Sequence, residues 1–107
     1  MSTEKQPVGS VSRDVVVKQL VEVLEDMTSD WDIEFSGKIA EQTMLVGDLA
    51  FESIDVVHLI VTLGQIYEEK DLGFERILIE DGRYVSDLSV AQIADFLVKT
   101  LAEKGKL

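Results

Sequence analysis

Apolar residues recur at helical spacing in three stretches of this chain, and the segments between those stretches lack such a period. The first stretch begins after Ser12 and has apolar residues at Val16, Leu20, Val23, Leu24 and Met27. The second starts at Ser53 and can continue to about Glu69, and the third starts at Ser89. Because residues three and four positions apart share one face of an α-helix, each stretch predicts an amphipathic helix. Ser12 is the expected N-cap of the first helix, and Ser89 with Gln92 forms a capping box for the last.

The segments that join these helices differ in length. Residues 28–52 lack a period, which predicts a long first loop attached to the core by some of its apolar residues. Those residues are Trp31, Ile33, Phe35, Ile39 and Leu45. Residues 74–86 allow two interpretations around the turn signal at 81–82: a β-hairpin, or a short helix over 74–79 followed by the turn, which we favour.

Together these elements predict an all-α fold, a small bundle of three long helices plus a short helix, with a long first loop. Residues 1–11 mix polar residues and charges without a period and predict a flexible N-terminal tail. The folded domain is expected over residues 12–102, followed by a frayed C-terminus over 103–107.

Charge and composition limit the partners of such a domain. The 107 residues include 21 acidic and 10 basic ones, a net charge of -11, which repels nucleic-acid phosphates and anionic lipid surfaces. We therefore expect neither nucleic acid nor a membrane as a partner, and a cytoplasmic monomer. There is no cysteine, so any thiol chemistry requires a thiol carried by a cofactor.

The second helix is more apolar than one buried face requires. One set of its apolar residues suits the core: Val56, Leu59, Ile60, Leu63 and Ile66. Ile54, Val57 and Val61 then form a second apolar face. A helix buried on all sides would explain this second face, and so would an exposed strip that docks a partner. Asp55 and His58 lie beside the second face and favour the exposed strip, because a buried helix would have to satisfy both polar groups.

The residues that lead into this helix form a recognisable motif. The segment Gly47-Asp-Leu-Ala-Phe-Glu-Ser-Ile-Asp55 resembles the D-S-L motif of acyl carrier proteins and the loop that precedes it. Ser53 matches the serine of that motif, Ile54 the leucine after it, and Asp55 the acidic residue that often comes next. The likeness covers roughly residues 15–101, including the long first loop and the Val-Ser-Asp-Leu segment before the last helix.

This resemblance implies an acyl-carrier-like bundle in which Ser53 holds a covalent 4'-phosphopantetheine arm derived from coenzyme A. Such a carrier is not an enzyme but the substrate of a phosphopantetheinyl transferase. It delivers acyl intermediates, held as thioesters on the arm, to acyl-transferring or ketosynthase-type enzymes of fatty-acid, polyketide or related biosynthesis. The resemblance assigns partner recognition to Glu52, Ile54, Asp55, Val57, His58 and Val61. No catalytic residue and no metal ligand are expected.

Elementary electrostatics agrees with an arm at Ser53. Unpaired backbone N–H groups and the positive end of the helix dipole favour a phosphodiester at a helix start. The chain also departs from the resemblance. Glu52 stands where aspartate is usual, His58 where glutamate is common, and Gly64 and Gln65 where further acidic residues are common, so the second helix is less negative than the resemblance implies.

Three other interpretations stay open from the sequence. One is an unmodified acidic helical adaptor that binds proteins through its second apolar face, and another is that Ser53 is an ordinary N-cap serine. Four carboxylates also have the spacing of an EF-hand calcium loop: Asp30, Asp32, Glu34 and Glu41. Phe35 occupies the position where that loop needs glycine, which argues against calcium.

Overall fold

The computed structural model describes residues 12–31, 35 and 37–105. Its elements, in chain order, are α1 (Arg13–Thr28), α2 (Ser53–Ile66), α3 (Glu75–Leu78), β1 (Ile79–Glu80), β2 (Arg83–Tyr84) and α4 (Val90–Glu103). These described residues are mostly helical and include one small two-stranded sheet. The tail predicted over 1–11 lies outside the described residues, as do the last two residues of the chain. Within the described ranges, no helix combines the length and apolar character needed to cross a bilayer.

Helices α1 and α4 begin at the predicted serine caps. The Ser12 hydroxyl accepts a hydrogen bond from the Val15 N–H at 3.3 Å. At α4, the Ser89 hydroxyl accepts from the Gln92 N–H at 3.1 Å, and the Gln92 side-chain oxygen accepts from the Ser89 N–H at 2.8 Å. Each cap satisfies donors that a helix start leaves unpaired, so both predicted N-caps are confirmed.

The core lies where α1 packs against α4 and, less extensively, against α2. Its most deeply buried large side chains include Leu20, Leu24, Leu49, Leu59, Leu63, Ile93, Leu97 and Leu101. The long first loop contributes to this core as predicted, because Ile39 and Leu45 are buried and Trp31 and Phe35 pack partly buried against it. Ile33, also predicted to attach the loop, lies outside the described residues.

Residues 74–86 contain both structures that the sequence offered as alternatives. The short helix α3 is present, and the chain after it forms an antiparallel hairpin of β1 and β2. The two turn residues, Asp81 and Gly82, have φ of 54° and 77°. Positive φ at both positions matches the turn to the twist of the flanking strands and closes the hairpin. The all-α prediction is therefore wrong in this segment, although the chain is mostly helical.

Helix α2 ends at Ile66, earlier than the limit near Glu69 predicted from the sequence. The chain leaves the helix at Glu68, whose φ is 55°. The Glu69 N–H then donates to the Gly64 carbonyl at 2.9 Å, and the Glu68 N–H to the Gln65 carbonyl at 3.3 Å. These are the two hydrogen bonds of a Schellman motif, which ends the helix although the apolar pattern could continue.

Gly64→Ala is expected to destabilise the protein, although alanine favours helices. A Cβ at position 64 would lie 2.9 Å from the Glu69 carbonyl oxygen, a backbone atom that cannot rotate away. The resulting strain should exceed the helix-propensity gain of about 1 kcal/mol, leaving a net loss of about 1–2 kcal/mol in the free energy of unfolding. Urea denaturation measures this loss.

The control for this substitution is Gln65→Ala, at the next and exposed position of α2. It should change the free energy of unfolding by less than about 0.5 kcal/mol. Equal stability of the Gly64→Ala protein and the wild type would contradict the close approach between Gly64 and Glu69.

Candidate functional site

Ser53 is the first residue of α2, and its side chain is exposed. The N-cap is Glu52, which has extended backbone angles, φ -109° and ψ 173°. The interpretation of Ser53 as an ordinary N-cap serine is therefore wrong. The cap position falls on Glu52 because the Asp55 carboxylate reaches back and accepts a hydrogen bond from the Glu52 N–H at 2.8 Å. The Ser53 hydroxyl is not needed for capping.

Two backbone N–H groups at this helix start, those of Ser53 and Ile54, have no acceptor among the described residues. The next two N–H groups, of Asp55 and Val56, both donate to the Glu52 carbonyl, at 2.9 and 3.1 Å. Within the same part of the chain, the Ser53 hydroxyl has no hydrogen-bond partner either. Unpaired donors and the helix dipole both favour negative charge here. The site can therefore accommodate an anionic group attached to the Ser53 oxygen.

The carboxylate of Asp87 holds the loop before α2 against the loop before α4. Its Oδ1 accepts hydrogen bonds from the N–H groups of Val46 and Leu88, each at 2.8 Å. Its Oδ2 accepts from the Gly47 N–H, also at 2.8 Å. The Leu45 N–H donates to the Leu88 carbonyl at 2.9 Å beside this contact. The segment that leads to Ser53 is thus fixed to the rest of the fold by one side chain and by the backbone.

Asp87 was missed as a site residue in the sequence, where it entered only as part of the Val-Ser-Asp-Leu likeness. A signal was present, since aspartate just before a helix commonly accepts hydrogen bonds from nearby N–H groups. That signal predicts a local bond such as the one from Leu88. It does not predict the bonds from Val46 and Gly47, which lie 41 and 40 residues away in the chain.

The loop before α2 is also packed. Leu49 and Phe51 are buried, and the centroid of the Phe51 ring lies 5.3 Å from that of Trp31. The Phe51 N–H donates to the Leu45 carbonyl at 3.0 Å. The Asp48 carboxylate accepts a hydrogen bond from the Met44 N–H at 2.8 Å. Ser53 therefore follows a loop with few free backbone groups and two buried side chains.

Arg13 fastens an earlier part of the long first loop to the helices. Its guanidinium lies 2.7 Å from a Glu41 carboxylate oxygen in the loop and 2.6 Å from an Asp95 oxygen on α4. Two hydrogen bonds raise the pKa of Arg13 above its ordinary value. The bond to Asp95 has the larger effect, and the bond to Glu41 has the next largest. The contact ties the start of α1 to the loop and to α4.

Three apolar residues of α2 face away from the core, and we call them the α2 strip: Ile54, Val57 and Val61. Their side chains are 68%, 54% and 52% exposed. The predicted exposure of this face is confirmed, and a helix buried on all sides is excluded. His58, predicted for partner recognition beside the strip, is exposed as well. The strip begins at the residue next to Ser53, so both lie on one accessible surface.

The face of α2 predicted to enter the core does so with one exception. Leu59 and Leu63 are buried, and Val56 and Ile60 pack partly buried against the core. Ile66 is 42% exposed, so its assignment to the core was wrong. It is the last residue of α2, where it lines a groove between α1 and α2 instead of the interior.

The two acidic residues predicted for partner recognition differ in their surroundings. Glu52 is exposed at the N-cap. Asp55 is half-buried, and one of its oxygens is bound to the Glu52 N–H. Two of the four carboxylates of the calcium interpretation, Asp32 and Glu34, lie outside the described residues. Over the ranges that are described, no group of three or more His, Asp or Glu side chains could hold a metal ion.

No protein-family model matches the chain, and neither a curated protein nor a solved structure shows significant similarity to it.

Proposed function

We propose that this chain is an acyl carrier protein whose Ser53 holds a 4'-phosphopantetheine arm. The observation that carries the proposal is the exposed Ser53 hydroxyl at the first residue of α2, without a hydrogen-bond partner among the described residues. The resemblance of residues 47–55 to the carrier motif supports it. The three longer helices, α1, α2 and α4, support an acyl-carrier-like bundle with a long first loop.

Attachment of the arm transfers phosphopantetheine from coenzyme A to Ser53. The Ser53 oxygen forms a bond to the phosphorus next to pantetheine, the pyrophosphate bond of coenzyme A breaks, and adenosine 3',5'-bisphosphate leaves. We assign the base that takes the hydroxyl proton to a phosphopantetheinyl transferase acting with magnesium. The single histidine of the chain, His58, lies more than one helical turn beyond Ser53 and is not placed for this task.

The chain's own residues position the arm. The N–H groups of Ser53 and Ile54 are available to the phosphodiester, and Asp87 holds the preceding loop in place. When attached, the arm supplies the thiol that the cysteine-free chain lacks and holds acyl groups as thioesters. Tethering then gives the acyl group a high effective concentration at each partner enzyme. The partners in this proposal are acyl-transferring or ketosynthase-type enzymes of fatty-acid, polyketide or related biosynthesis, met by a cytoplasmic monomer.

An unmodified helical adaptor is the second candidate function. The observation that favours it is the exposed α2 strip, because exposed apolar side chains in a row are typical of a surface that binds another protein. The strip alone fits either candidate, whereas only the carrier requires an accessible hydroxyl at position 53.

Intact mass spectrometry tests the carrier proposal. We expect the purified chain to gain one phosphopantetheine after incubation with coenzyme A, magnesium and a broad-specificity phosphopantetheinyl transferase. Peptide mapping should place the added group on the peptide that contains Ser53. The proposal is wrong if circular dichroism shows that the chain is folded and two unrelated transferases add no phosphopantetheine to it.

A further inference from the structure

A groove of about 1220 Å³ lies between α4 and the segment that contains α3 and the β1–β2 hairpin. None of the described residues that line it belongs to α2, so the groove is separate from Ser53 and from the α2 strip. Its apolar lining includes four residues that are buried or half-buried: Ile77, Val85, Leu88 and Phe96. A cavity with this volume and an apolar lining is typical of a site for an organic molecule.

Three of the ten basic residues of this acidic chain line the groove: Arg76, Arg83 and Lys99. Arg83 and Lys99 form no ion pair within the described part of the chain. The Arg76 guanidinium lies 3.5 Å from a Glu103 oxygen, which is long for a hydrogen bond between two charged groups. The groove therefore contains cations that a ligand can still bind.

Four carboxylates also line the groove, but two of them already have partners. Asp87 accepts hydrogen bonds from three backbone N–H groups, and Asp95 accepts one from a guanidinium at 2.6 Å. The other two, Glu80 and Asp81, belong to the hairpin. The carboxylates that could repel an anionic ligand are thus concentrated at the hairpin, and the α4 side of the groove has an unpaired lysine instead.

Arg76, Lys99 and Thr100 lie at the same end of the groove. Lys99 and Thr100 precede Glu103 by four and three residues, so both neighbour it on the surface of α4. Glu103 in turn contacts Arg76. This end of the groove therefore combines two cations with one hydroxyl.

The hydroxyl of Thr100 is buried without a partner. Thr100 is 2% exposed, and its Oγ1 has no hydrogen-bond partner among the described residues. Such groups are rare in native proteins, because a buried hydroxyl without a partner is costly. Threonine in a helix has two accessible χ1 states, and Thr100 lines the groove, so a change of χ1 can turn its hydroxyl toward a bound molecule. A ligand oxygen would then supply the missing partner.

We infer that this groove binds a free amphipathic organic anion, whose apolar body covers the apolar lining and whose anionic group lies at the end formed by Arg76, Lys99 and Thr100. The cations and the hydroxyl select the negative group, and burial of the apolar body supplies further affinity. The net charge of -11 opposes approach to an anionic bilayer, so the ligand is a free molecule and not a lipid within a membrane. The inference does not depend on the carrier proposal, since Ser53 takes no part in this site.

The test is an NMR titration of the full chain with decanoate, kept below its micelle concentration. Decanoate should bind saturably and shift the amide signals of residues 76–88 and 92–100. Decyltrimethylammonium has the same alkyl chain and the opposite charge, and it should bind to these residues at least about tenfold more weakly.

Substitutions at position 99 test the role of the cation. Lys99→Gln should weaken decanoate binding about threefold to fivefold, because Lys99 is exposed and its charge is partly screened by water. Lys99→Glu should weaken it at least about tenfold. Lys18→Gln is the matched control, since Lys18 is an exposed lysine of α1 outside the groove. It should leave the affinity within about twofold of the wild type.

Thr100→Val separates a ligand-binding hydroxyl from a structural one. Valine has nearly the same shape and leaves no polar atom buried without a partner, so urea denaturation should show equal or greater stability. Decanoate binding should nevertheless become about threefold to tenfold weaker. A stable Thr100→Val protein with unchanged affinity for decanoate would overturn the placement of the anionic group.

Four further results would overturn the inference and leave the carrier proposal intact. They are the absence of saturable decanoate binding, shifts confined to α2 and residues 70–74, equal affinity for the two probes, and unchanged affinity in Lys99→Glu. Sedimentation with phosphatidylglycerol vesicles should not retain the chain, and retention that Lys99→Glu abolishes would assign the groove to a lipid surface instead. A wild-type dimer that Lys99→Glu dissociates would mean that a second copy covers the groove, which would also overturn the inference.

Discussion

Ser53→Ala is expected to abolish loading with phosphopantetheine and to leave the fold unchanged. The substitution removes the only atom of this residue that can bond to phosphorus. Ser53 is exposed, does not cap α2, and has no side-chain hydrogen bond among the described residues. Alanine is a good helix former at this position, so the free energy of unfolding should change by less than about 0.5 kcal/mol. Intact mass after incubation with transferase and coenzyme A measures the loading.

Ser86→Ala is the matched control, because Ser86 is an exposed serine in the loop before α4. This variant should load as the wild type does. A mass gain of one phosphopantetheine on the Ser53→Ala protein would contradict the assignment of Ser53. The adaptor function predicts a different pattern, in which neither the wild type nor Ser53→Ala is loaded and both retain the same partner binding.

Local and periodic features of the fold could be predicted from the sequence. The caps at Ser12 and Ser89 depend on hydrogen bonds within the first turn of each helix, so a few consecutive residues determine them. The exposure of Val57 and Val61 was predicted from helical spacing together with the polar residues beside them. Such features need no knowledge of which distant segments meet.

Features that depend on left-handed backbone or on distant contacts were predicted poorly. The apolar pattern could continue past Gly64, but α2 ends where Glu68 adopts a positive φ. Glutamate rarely adopts this backbone conformation, so the residue type at position 68 does not predict the end of the helix. The turn at 81–82 was recognised, but the two short strands beside it were not preferred over a helix. At the candidate site, the sequence predicts Ser53 at a helix start. It does not predict that Glu52 is the N-cap, with its N–H bound by the carboxylate of Asp55.

Asp87→Ala is expected to destabilise the protein by about 2–4 kcal/mol and to slow the loading of Ser53. The substitution removes all three hydrogen bonds that the carboxylate accepts, from Val46, Gly47 and Leu88. Bonds to a charged acceptor are stronger than neutral ones, and partial exposure of this contact keeps the total in the stated range. Without Asp87, the loop before Ser53 loses its side-chain link to the start of α4. Urea denaturation and loading kinetics measure the two effects.

Asp26→Ala is the control for the change of charge, because Asp26 is exposed near the end of α1 and its carboxylate has no hydrogen bond among the described residues. It should alter stability by less than about 0.5 kcal/mol. Equal stability of the two variants would contradict the role of Asp87.

A double-mutant cycle with Gly47→Ala tests the contact itself. A Cβ at position 47 would lie 3.2 Å from Asp87 Oδ2, so Gly47→Ala should push the carboxylate away and cost about 1 kcal/mol in the wild type. In the Asp87→Ala background that oxygen is absent, and the cost of Gly47→Ala should largely disappear. Additive losses from the two substitutions would instead mean that they act on stability independently. Gly47 and Asp87 are 40 residues apart in the chain. A non-additive result would therefore show that these two residues are in contact, and that this contact holds the loop before α2 against the start of α4.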